Sequence, residues 1–367
     1  MKHRNSNHRA ALAALLAAHL WLAACPATAQ TQLSPYRPGA TTEGCVYSLP
    51  KTLVRISVLV EKTTYEPGDF APFAQRYLRM ADVSQESSTS FRVVGLSQTP
   101  MPVADTTKVY SVKFDARTVA ARMTLADDGR LLGLNVDDAA DAEAPAPFQP
   151  QPQPEWVNPR QFMSEEILSC GSTAKMAELT AHEIYDLREN RSLLIKGQAD
   201  FMPQDGRQMQ IMLDELDRQD RSLSSLFVGR TQRDTTEHIL WADPAQFQQK
   251  GVLFRLSQLR GLVDADDLSG APFYLSIDDI SQLPAAAPEA KKKDKQPEAG
   301  IYVNVPGRLR STLYEGINPL LSVEMPAPQF GHTLLLSADL FNKRYATRLR
   351  LDALTGAVAR LDADLPK

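Results

Sequence analysis

Residues 53–61 read Leu-Val-Arg-Ile-Ser-Val-Leu-Val-Glu, and their alternating pattern is the clearest structural signal in the chain. One face of the segment carries the apolar side chains Val54, Ile56, Val58 and Val60. The opposite face carries Arg55, Ser57 and Glu61. Because side chains alternate between the two faces of a β-strand, the segment is predicted to be a strand with one buried face.

The sequence around this strand predicts an N-terminal β-rich module over residues 30–137. Pro67-Gly68 breaks the chain, and the apolar spacing of residues 70–78 predicts one short amphipathic helix. Further strands are predicted at 90–96, 108–114, 121–125 and 131–136. The last two are joined through Asp127-Asp128-Gly129, which is typical of a hairpin turn.

A linker and a helical hairpin are predicted to follow this module. Residues 138–160 are acidic at first and then rich in Pro, Ala and Gln, a composition typical of a linker. Residues 161–229 have helical spacing in two stretches, which end at Gly197 and Gly229. The short connection between the stretches predicts an antiparallel pair. The Met202, Met209 and Met212 stripe is interpreted most simply as core packing, although methionine surfaces also suit adaptable contacts with a partner.

Residues 230–367 are predicted to form a C-terminal β-rich module. Its strands are predicted at 237–241, 252–256, 273–277, 301–305, 321–325, 333–336 and 347–351. The interruption at 284–300 contains Lys291-Lys292-Lys293-Asp294-Lys295 and is predicted to be a mobile charged loop. The predicted fold class is therefore α+β, with antiparallel β modules flanking a long antiparallel helical hairpin.

A weak internal similarity links the two β-rich segments. At a constant spacing, Phe114, Arg117, Ala126, Gly129 and Leu134 match Phe341, Arg344, Ala353, Gly356 and Leu361. Each set covers a strand, a glycine turn and a second strand. The pattern indicates either two related hairpin modules or two unrelated hairpins that share a glycine turn.

The N-terminus has the order of a bacterial secretory signal, which we assign to residues 1–29. Lys2, Arg4 and Arg9 precede an apolar stretch over residues 10–24, and small residues follow it. Two cleavage sites are open. Ala27-Thr28-Ala29 fits a cut before Gln30, whereas Leu22-Ala23-Ala24-Cys25 fits a lipoprotein site in which Cys25 is lipidated.

The net charge and the cysteine content restrict the kinds of partner and of covalent link that we expect. Removal of the three basic residues of the signal lowers the formal charge from −4 to −7, so nucleic-acid binding is not expected. Membrane attachment is expected only through a lipid on Cys25. An exported chain meets an oxidising compartment, where Cys45 and Cys170 either form a disulfide or remain buried thiols.

The motifs for catalysis and metal binding are incomplete. Ser172-Thr173-Ala174-Lys175 has the spacing of a serine–lysine nucleophile, but it equally fits a helix cap followed by a solvated lysine. His182-Glu183-Ile184-Tyr185-Asp186 has Asp where a zinc-binding helix needs a second His. We therefore predict no catalytic, cofactor-binding or metal-binding residue.

Several strings together resemble a known family of exported proteins. They lie at 46–52 (Val-Tyr-Ser-Leu-Pro-Lys-Thr), 61–65 (Glu-Lys-Thr-Thr-Tyr), 67–68, 76–78, 171–178 (Gly-Ser-Thr-Ala-Lys-Met-Ala-Glu), 329–331 (Gln-Phe-Gly) and 355–356. They are similar to the Bacteroidetes family called domain of unknown function 4831. The resemblance implies an exported envelope protein of such bacteria and brings no activity with it.

Three functions follow from these observations, all of them in the periplasm or at the outer membrane. The first is a non-enzymatic module that binds or scaffolds an envelope protein partner. The second is an envelope serine hydrolase or acyltransferase that uses Ser172 and Lys175. The third is a carrier of a hydrophobic ligand.

Overall fold

The computed structural model describes residues 32–36, 44–113, 122–153, 156–282, 300–337, 340 and 346–364. These residues form an α+β fold with three antiparallel sheets. The strands are β1 (Gln32–Pro35), β2 (Cys45–Glu66), β3 (Ser88–Lys113), β4 (Met123–Leu125), β5 (Leu131–Leu134), β6 (Arg230–Ala242), β7 (Gly251–Ser257), β8 (Gly261–Val263), β9 (Ala271–Asp279), β10 (Gly300–Glu315), β11 (Asn318–Ser337), β12 (Ala346–Leu351) and β13 (Val358–Asp364). The helices are α1 (Ala74–Leu78), α2 (Glu165–Leu168), α3 (Thr173–Lys196) and α4 (Gly206–Val228).

Two of the sheets pack face to face around the main core. Sheet one has the order β1-β3-β2-β6, and sheet two has the order β11-β10-β9-β7-β8. The predicted apolar face of β2 is buried in this core, with Val54, Ile56 and Val58 fully inaccessible to solvent. Leu275 of β9 and Leu309 of β10 meet it from the other sheet. The alternation at 53–61 therefore predicts the strand and its apolar buried face correctly. The expectation that only this face is buried is wrong, because Arg55 and Ser57 on the opposite face are buried as well.

The third sheet combines hairpins from both ends of the chain. Its order is β13-β12-β5-β4, and the two hairpins join where Leu349 of β12 pairs with Leu134 of β5. The backbone N–H of Ser48 donates to Gly129 O at 3.0 Å, and that of Asn304 donates to Gly356 O at 3.0 Å. The long hairpin β2–β3 thus contacts the glycine turn of the short hairpin β4–β5. In the same way, the long hairpin β10–β11 contacts the glycine turn of the short hairpin β12–β13. This supports the internal similarity, although Phe114, Arg117, Phe341 and Arg344 lie outside the described residues.

The helices form a separate layer with its own core. The short predicted helix at 70–78 is a 3-10 turn followed by α1, and it packs beside α2, α3 and α4. The chain approaches α4 closely at Gly68, where a Cβ atom would lie 2.2 Å from Leu226 O. Phe70 N–H donates to that same carbonyl at 2.7 Å. The Pro67-Gly68 break therefore attaches β2 to the end of the hairpin.

The sheets do not follow the boundaries of the two predicted β-rich modules. β2 pairs with β6, which lies beyond the hairpin in sequence, along Val54–Glu66. Two predicted strands, at 90–96 and 108–114, belong to the single strand β3. Pro100 and Pro102 lie between the two predicted segments, opposite β2 on a stretch of β3 that β1 does not reach. Proline is tolerated there because the missing N–H faces an edge.

The predicted linker packs against the protein as a strap. Its described part, 138–153 and 156–160, contains no helix or strand before the 3-10 turn at Pro159. Asp141 pairs with the buried guanidinium of Arg130 at 2.9 Å. Phe148 N–H donates to the Glu237 carboxylate of β6 at 3.2 Å. The predicted signal at 1–29, with Cys25, and the charged loop up to residue 299 lie outside the described residues.

Glu237 joins the strap to sheet one through charge-assisted hydrogen bonds. Its carboxylate accepts from the Ser57 hydroxyl at 2.5 Å and from the buried Arg55 guanidinium at 3.1 Å. The hydrogen bonds from Ser57 and Phe148, together with Arg55, lower the pKa of Glu237 below its ordinary value of 4.5. A carboxyl group with a lowered pKa in the folded state stabilises that state above its unfolded pKa.

We predict that Glu237→Gln lowers the free energy of unfolding above pH 4.5 and that the deficit shrinks as pH falls through the lowered folded pKa. Urea titrations of both proteins across this range measure the difference. Glu315→Gln, at the exposed end of β10, is the control for the loss of one negative charge. A loss of unfolding free energy that is the same at every pH would show that the charge of Glu237 does not contribute to stability.

Asn304 of β10 holds the three sheets together. Its side chain is 1% exposed and donates to Pro50 O of β2 at 3.0 Å and to Thr355 O of the β12–β13 turn at 2.9 Å. We predict that Asn304→Leu leaves both carbonyls without a donor and lowers the free energy of unfolding by about 3 kcal/mol. Chemical denaturation followed by circular dichroism measures this loss.

The matched control is on the same strand. Ser311 is fully buried, and its hydroxyl has no hydrogen-bond partner among the described residues. Removing an unpaired buried hydroxyl leaves no partner exposed, so Ser311→Ala is expected to change stability by less than about 0.5 kcal/mol. Equal losses in the two variants would mean that burial, and not the Asn304 hydrogen bonds, determines the cost.

Candidate binding site on the helical hairpin

The two helices of the hairpin begin and end where the sequence predicts. α3 ends at Gly197, whose φ of 69° is left-handed and whose N–H donates to Leu194 O at 3.1 Å. α4 begins after Asp205, whose carboxylate accepts from Gln208 N–H at 2.8 Å. Residues 198–205 therefore form the short loop between two well-capped helices. We call this end of the hairpin the tip.

Ion pairs join the middle of the two helices. Arg188 of α3 lies 3.0 Å from Asp220 of α4, and Arg191 lies 2.6 Å from Asp217. Below them, Ile184 and Leu223 are buried in the helical core. These ion pairs fix the antiparallel register of α3 and α4 as far as Arg191. The contacts at the tip therefore depend on the residues that follow Arg191 in α3.

An open apolar cleft of about 570 Å³ lies at the tip. Its apolar lining residues are Leu193, Leu194, Ala199, Phe201, Ile211, Met212 and Leu216. Phe201 is 70% exposed and Ile211 is 60% exposed, so their apolar surface is in water. The charged side chains that line the cleft, Asp200 and Glu215, are both acidic. The cleft can accept an apolar group and favours positive charge beside it.

The sequence predicted the apolar stripe of α4 but not its exposure. The interpretation of Met202, Met209 and Met212 as core packing is wrong, and their alternative interpretation as a surface for partner contacts stays a prediction. Met202 is exposed, Met209 is half-buried, and Met212 lines the cleft. Periodicity identifies an apolar face without showing whether another element covers it. The exposed Phe201 in the loop was the signal that the sequence analysis did not use.

Ser172 and Lys175 lie at the start of α3. Ser172 occupies the N-cap position, as one prediction had it, but its side chain makes no cap hydrogen bond. The Lys175 amine lies 3.3 Å from the Glu178 carboxylate, and both side chains are largely exposed. The amine therefore lies against a carboxylate, whereas a serine nucleophile needs a base within hydrogen-bond reach of its hydroxyl.

The other predicted site residues are dispersed. Cys45 begins β2, whereas Cys170 precedes α3 and its thiol donates to Glu166 O at 3.2 Å. Both cysteines are free thiols in this structure, and their pairing stays a prediction. His182 lies within α3. The described residues contain no group of three or more His, Cys, Asp or Glu side chains placed to hold a metal ion.

The structure thus defines an α+β protein in which a two-sheet core carries a helical hairpin with an open apolar cleft. The family model "Domain of unknown function (DUF4831)" matches residues 43–359, and the chain belongs to this family. This confirms the family resemblance. Searches of curated proteins and of solved structures find no match. Within the described ranges, no helix has the length and apolar character needed to cross a membrane.

We predict that a fluorophosphonate probe does not label Ser172 in the folded protein, because the Lys175 amine lies against the Glu178 carboxylate and Ser172 is exposed at the N-cap position. Intact-protein mass spectrometry before and after incubation with the probe measures this. Ser172→Ala is the blank, and a known serine hydrolase in the same tube confirms that the probe is active. A stoichiometric adduct on the wild type that Ser172→Ala abolishes would establish a nucleophilic serine.

Proposed function

We propose that this protein is an exported cell-envelope protein of Bacteroidetes that acts as a non-enzymatic binding module for a protein partner. The observation that carries the proposal is the open cleft at the tip, with Phe201 and Ile211 exposed beside it. Exposed apolar groups in one concave site indicate an interaction surface, because single monomeric proteins rarely leave such groups clustered in water.

The shape of the cleft favours a protein segment as its occupant. It lies where two helices meet a loop, and the exposed Phe201 and Ile211 contribute to its apolar lining. Such a groove suits an amphipathic segment that inserts two or three apolar side chains. Asp200 and Glu215 at the cleft favour a partner with lysine or arginine beside those apolar residues.

The proposed location rests on the sequence of residues 1–29. Their basic, apolar and small segments support export to the periplasm, and Cys25 supports attachment to the outer membrane as the alternative. A module on the envelope needs no reaction of its own in order to position a partner. The exposed Ser172 and its paired Lys175 agree with this function and favour it over a serine hydrolase.

A hydrophobic-ligand carrier is the second candidate, because the cleft volume of about 570 Å³ is within the range of small-molecule sites. The sequence is compatible with this function, and the cleft in the helical layer offers a place for the ligand. The two candidates differ in what remains bound after purification: a protein of defined stoichiometry or a small apolar molecule.

We predict that Phe201→Ser and Ile211→Ser each weaken partner binding about 30-fold, which corresponds to about 2 kcal/mol for a central apolar contact. The measurement is quantitative mass spectrometry of proteins crosslinked to the tagged chain in native envelopes, followed by affinity titration of the partner found. Both side chains are largely exposed, so the free energy of unfolding is expected to change by less than about 0.5 kcal/mol.

Leu268→Ser is the matched control, because Leu268 is 81% exposed in the β8–β9 loop and lies away from the cleft. It should retain the partner at the wild-type level. Equal recovery by all three variants would contradict the proposal. Native mass spectrometry distinguishes the second candidate: a bound lipid that Phe201→Ser releases, without any protein partner, would make the protein a carrier.

A further inference from the structure

Two cavities adjoin each other at the other end of α4, where the strap crosses the start of β6. The larger has a volume of about 610 Å³, and the smaller has a volume of about 370 Å³. Trp156, Ser225 and Arg230 line both, so the two cavities form one continuous groove. We call this groove the strap groove. It shares no lining residue with the cleft at the tip.

The larger cavity has a positive lining in an acidic protein. Its charged lining side chains are Arg218, Arg221 and Arg230, with no carboxylate among the described residues that line it. Arg221 donates from Nε to the Asp217 carbonyl at 3.0 Å and forms no ion pair within the described part of the chain. Arg218 lies 3.6 Å from Glu215 at a largely exposed position. Arg230 is paired with Glu66 at 2.8 Å, so Arg221 and the weakly paired Arg218 are the guanidinium groups available to a negatively charged ligand.

Trp156 gives the groove a flat apolar wall. Its side chain is 54% exposed, and the Arg230 guanidinium lies 5.5 Å from the ring centroid. The strap is held to the rest of the protein before and after Trp156. The Gln153 amide donates to Arg233 O, and the Ser222 hydroxyl donates to Val157 O at 3.1 Å. The ring is thus a preformed surface and needs little ordering when a ligand arrives.

Other polar and charged groups complete the lining. Thr231, Gln232 and Gln153 offer hydroxyl and amide groups in the larger cavity. The smaller cavity has the Asn158 amide and the charged side chains Glu66, Asp69 and Arg160, so the anionic group of a ligand belongs in the larger cavity. A ligand that uses all of these groups has several hydroxyls, at least one anionic group, and a flat face of C–H groups to lie on Trp156.

We propose that the strap groove binds an acidic saccharide, a short chain of sugars that carries carboxylate or phosphate groups. The indole of Trp156 packs against a sugar ring, Arg218 and Arg221 bind the anionic group, and the amide and hydroxyl side chains bind sugar hydroxyls. A neutral sugar would leave the arginines unused, and a small inorganic anion would leave the indole unused. Guanidinium groups bind both carboxylate and phosphate through paired hydrogen bonds, so the two anions share one chemistry here.

The test is isothermal titration calorimetry of the full chain with trigalacturonate. Maltotriose is the neutral probe of the same length, glucose 6-phosphate is the phosphorylated probe, and sodium phosphate is the anion alone. We expect trigalacturonate to bind at least tenfold more tightly than maltotriose or sodium phosphate, and its affinity to fall as salt is added. Glucose 6-phosphate binding more tightly than sodium phosphate would extend the site to phosphorylated sugars.

Two variants locate the binding in the groove. Trp156→Ala and Arg221→Gln should each lower the affinity for trigalacturonate about tenfold or more, because each removes a whole contact to the ligand. Arg348→Gln removes the same charge from an exposed position of β12 and should bind like the wild type. Thermal unfolding of each variant within about 2 °C of the wild type confirms that its fold is intact.

Three results would overturn the proposal. They are equal affinity for maltotriose and trigalacturonate, equal affinity for sodium phosphate and trigalacturonate, and unchanged binding by Trp156→Ala and Arg221→Gln. None of them bears on the partner cleft, because the strap groove is lined by other residues. Loss of partner binding by Phe201→Ser with intact saccharide binding would separate the two sites directly.

Discussion

The buried amide of Asn304 is the contact on which the arrangement of the three sheets depends. It belongs to β10 in sheet two, donates to Pro50 O in sheet one, and donates to Thr355 O beside the third sheet. Tyr47 reinforces the same place: its hydroxyl accepts from Tyr302 N–H at 2.9 Å and donates to Tyr302 O at 3.3 Å. Burial raises the pKa of Tyr47, so the hydroxyl stays protonated and keeps both bonds.

This junction explains why β2 and β10 are so long. Each strand contributes one part to the two-sheet core and another part to the cluster around the third sheet, as Val58 and Leu49 do on β2. Register shifts after Ser48 in β2 and after Val305 in β10 occur where each strand passes from one cluster to the other. A bulge bends the strand and changes its twist, which lets one strand contribute side chains to both hydrophobic clusters.

The sequence predicted local structure well where one periodicity and one stop signal agree. The alternation at 53–61 gave the buried face of β2, and Gly197 and Gly229 gave the ends of α3 and α4 within one or two residues. Pairing between distant segments could not be predicted in this way. Nothing local indicates that β2 pairs with β6 or that Leu134 meets Leu349, because these contacts depend on burial created by the whole chain.

The two candidate sites could not be predicted from the sequence, for two different physical reasons. The cleft at the tip uses a normal amphipathic stripe, and only the absence of a covering element among the described residues exposes it. Trp156 lies in a stretch whose Pro, Ala and Gln content is typical of a flexible linker. Hydrogen bonds from Ser222 and to Glu237 fix that stretch, and they join residues far apart in sequence. Composition describes what a segment can do alone, whereas these contacts depend on its neighbours.

One ion pair joins the edges of the two sites. The energy of this pair limits the binding coupling that it can carry between them. Glu215 lines the cleft, and Arg218, one turn further along α4, lines the strap groove. A ligand that binds Arg218 removes the positive charge beside Glu215. The Glu215 carboxylate then attracts a basic partner more strongly. The pair is 3.6 Å apart and about half exposed on each side, so it is worth less than about 1 kcal/mol. The coupling that this pair can carry between the cleft and the strap groove is therefore below about fivefold.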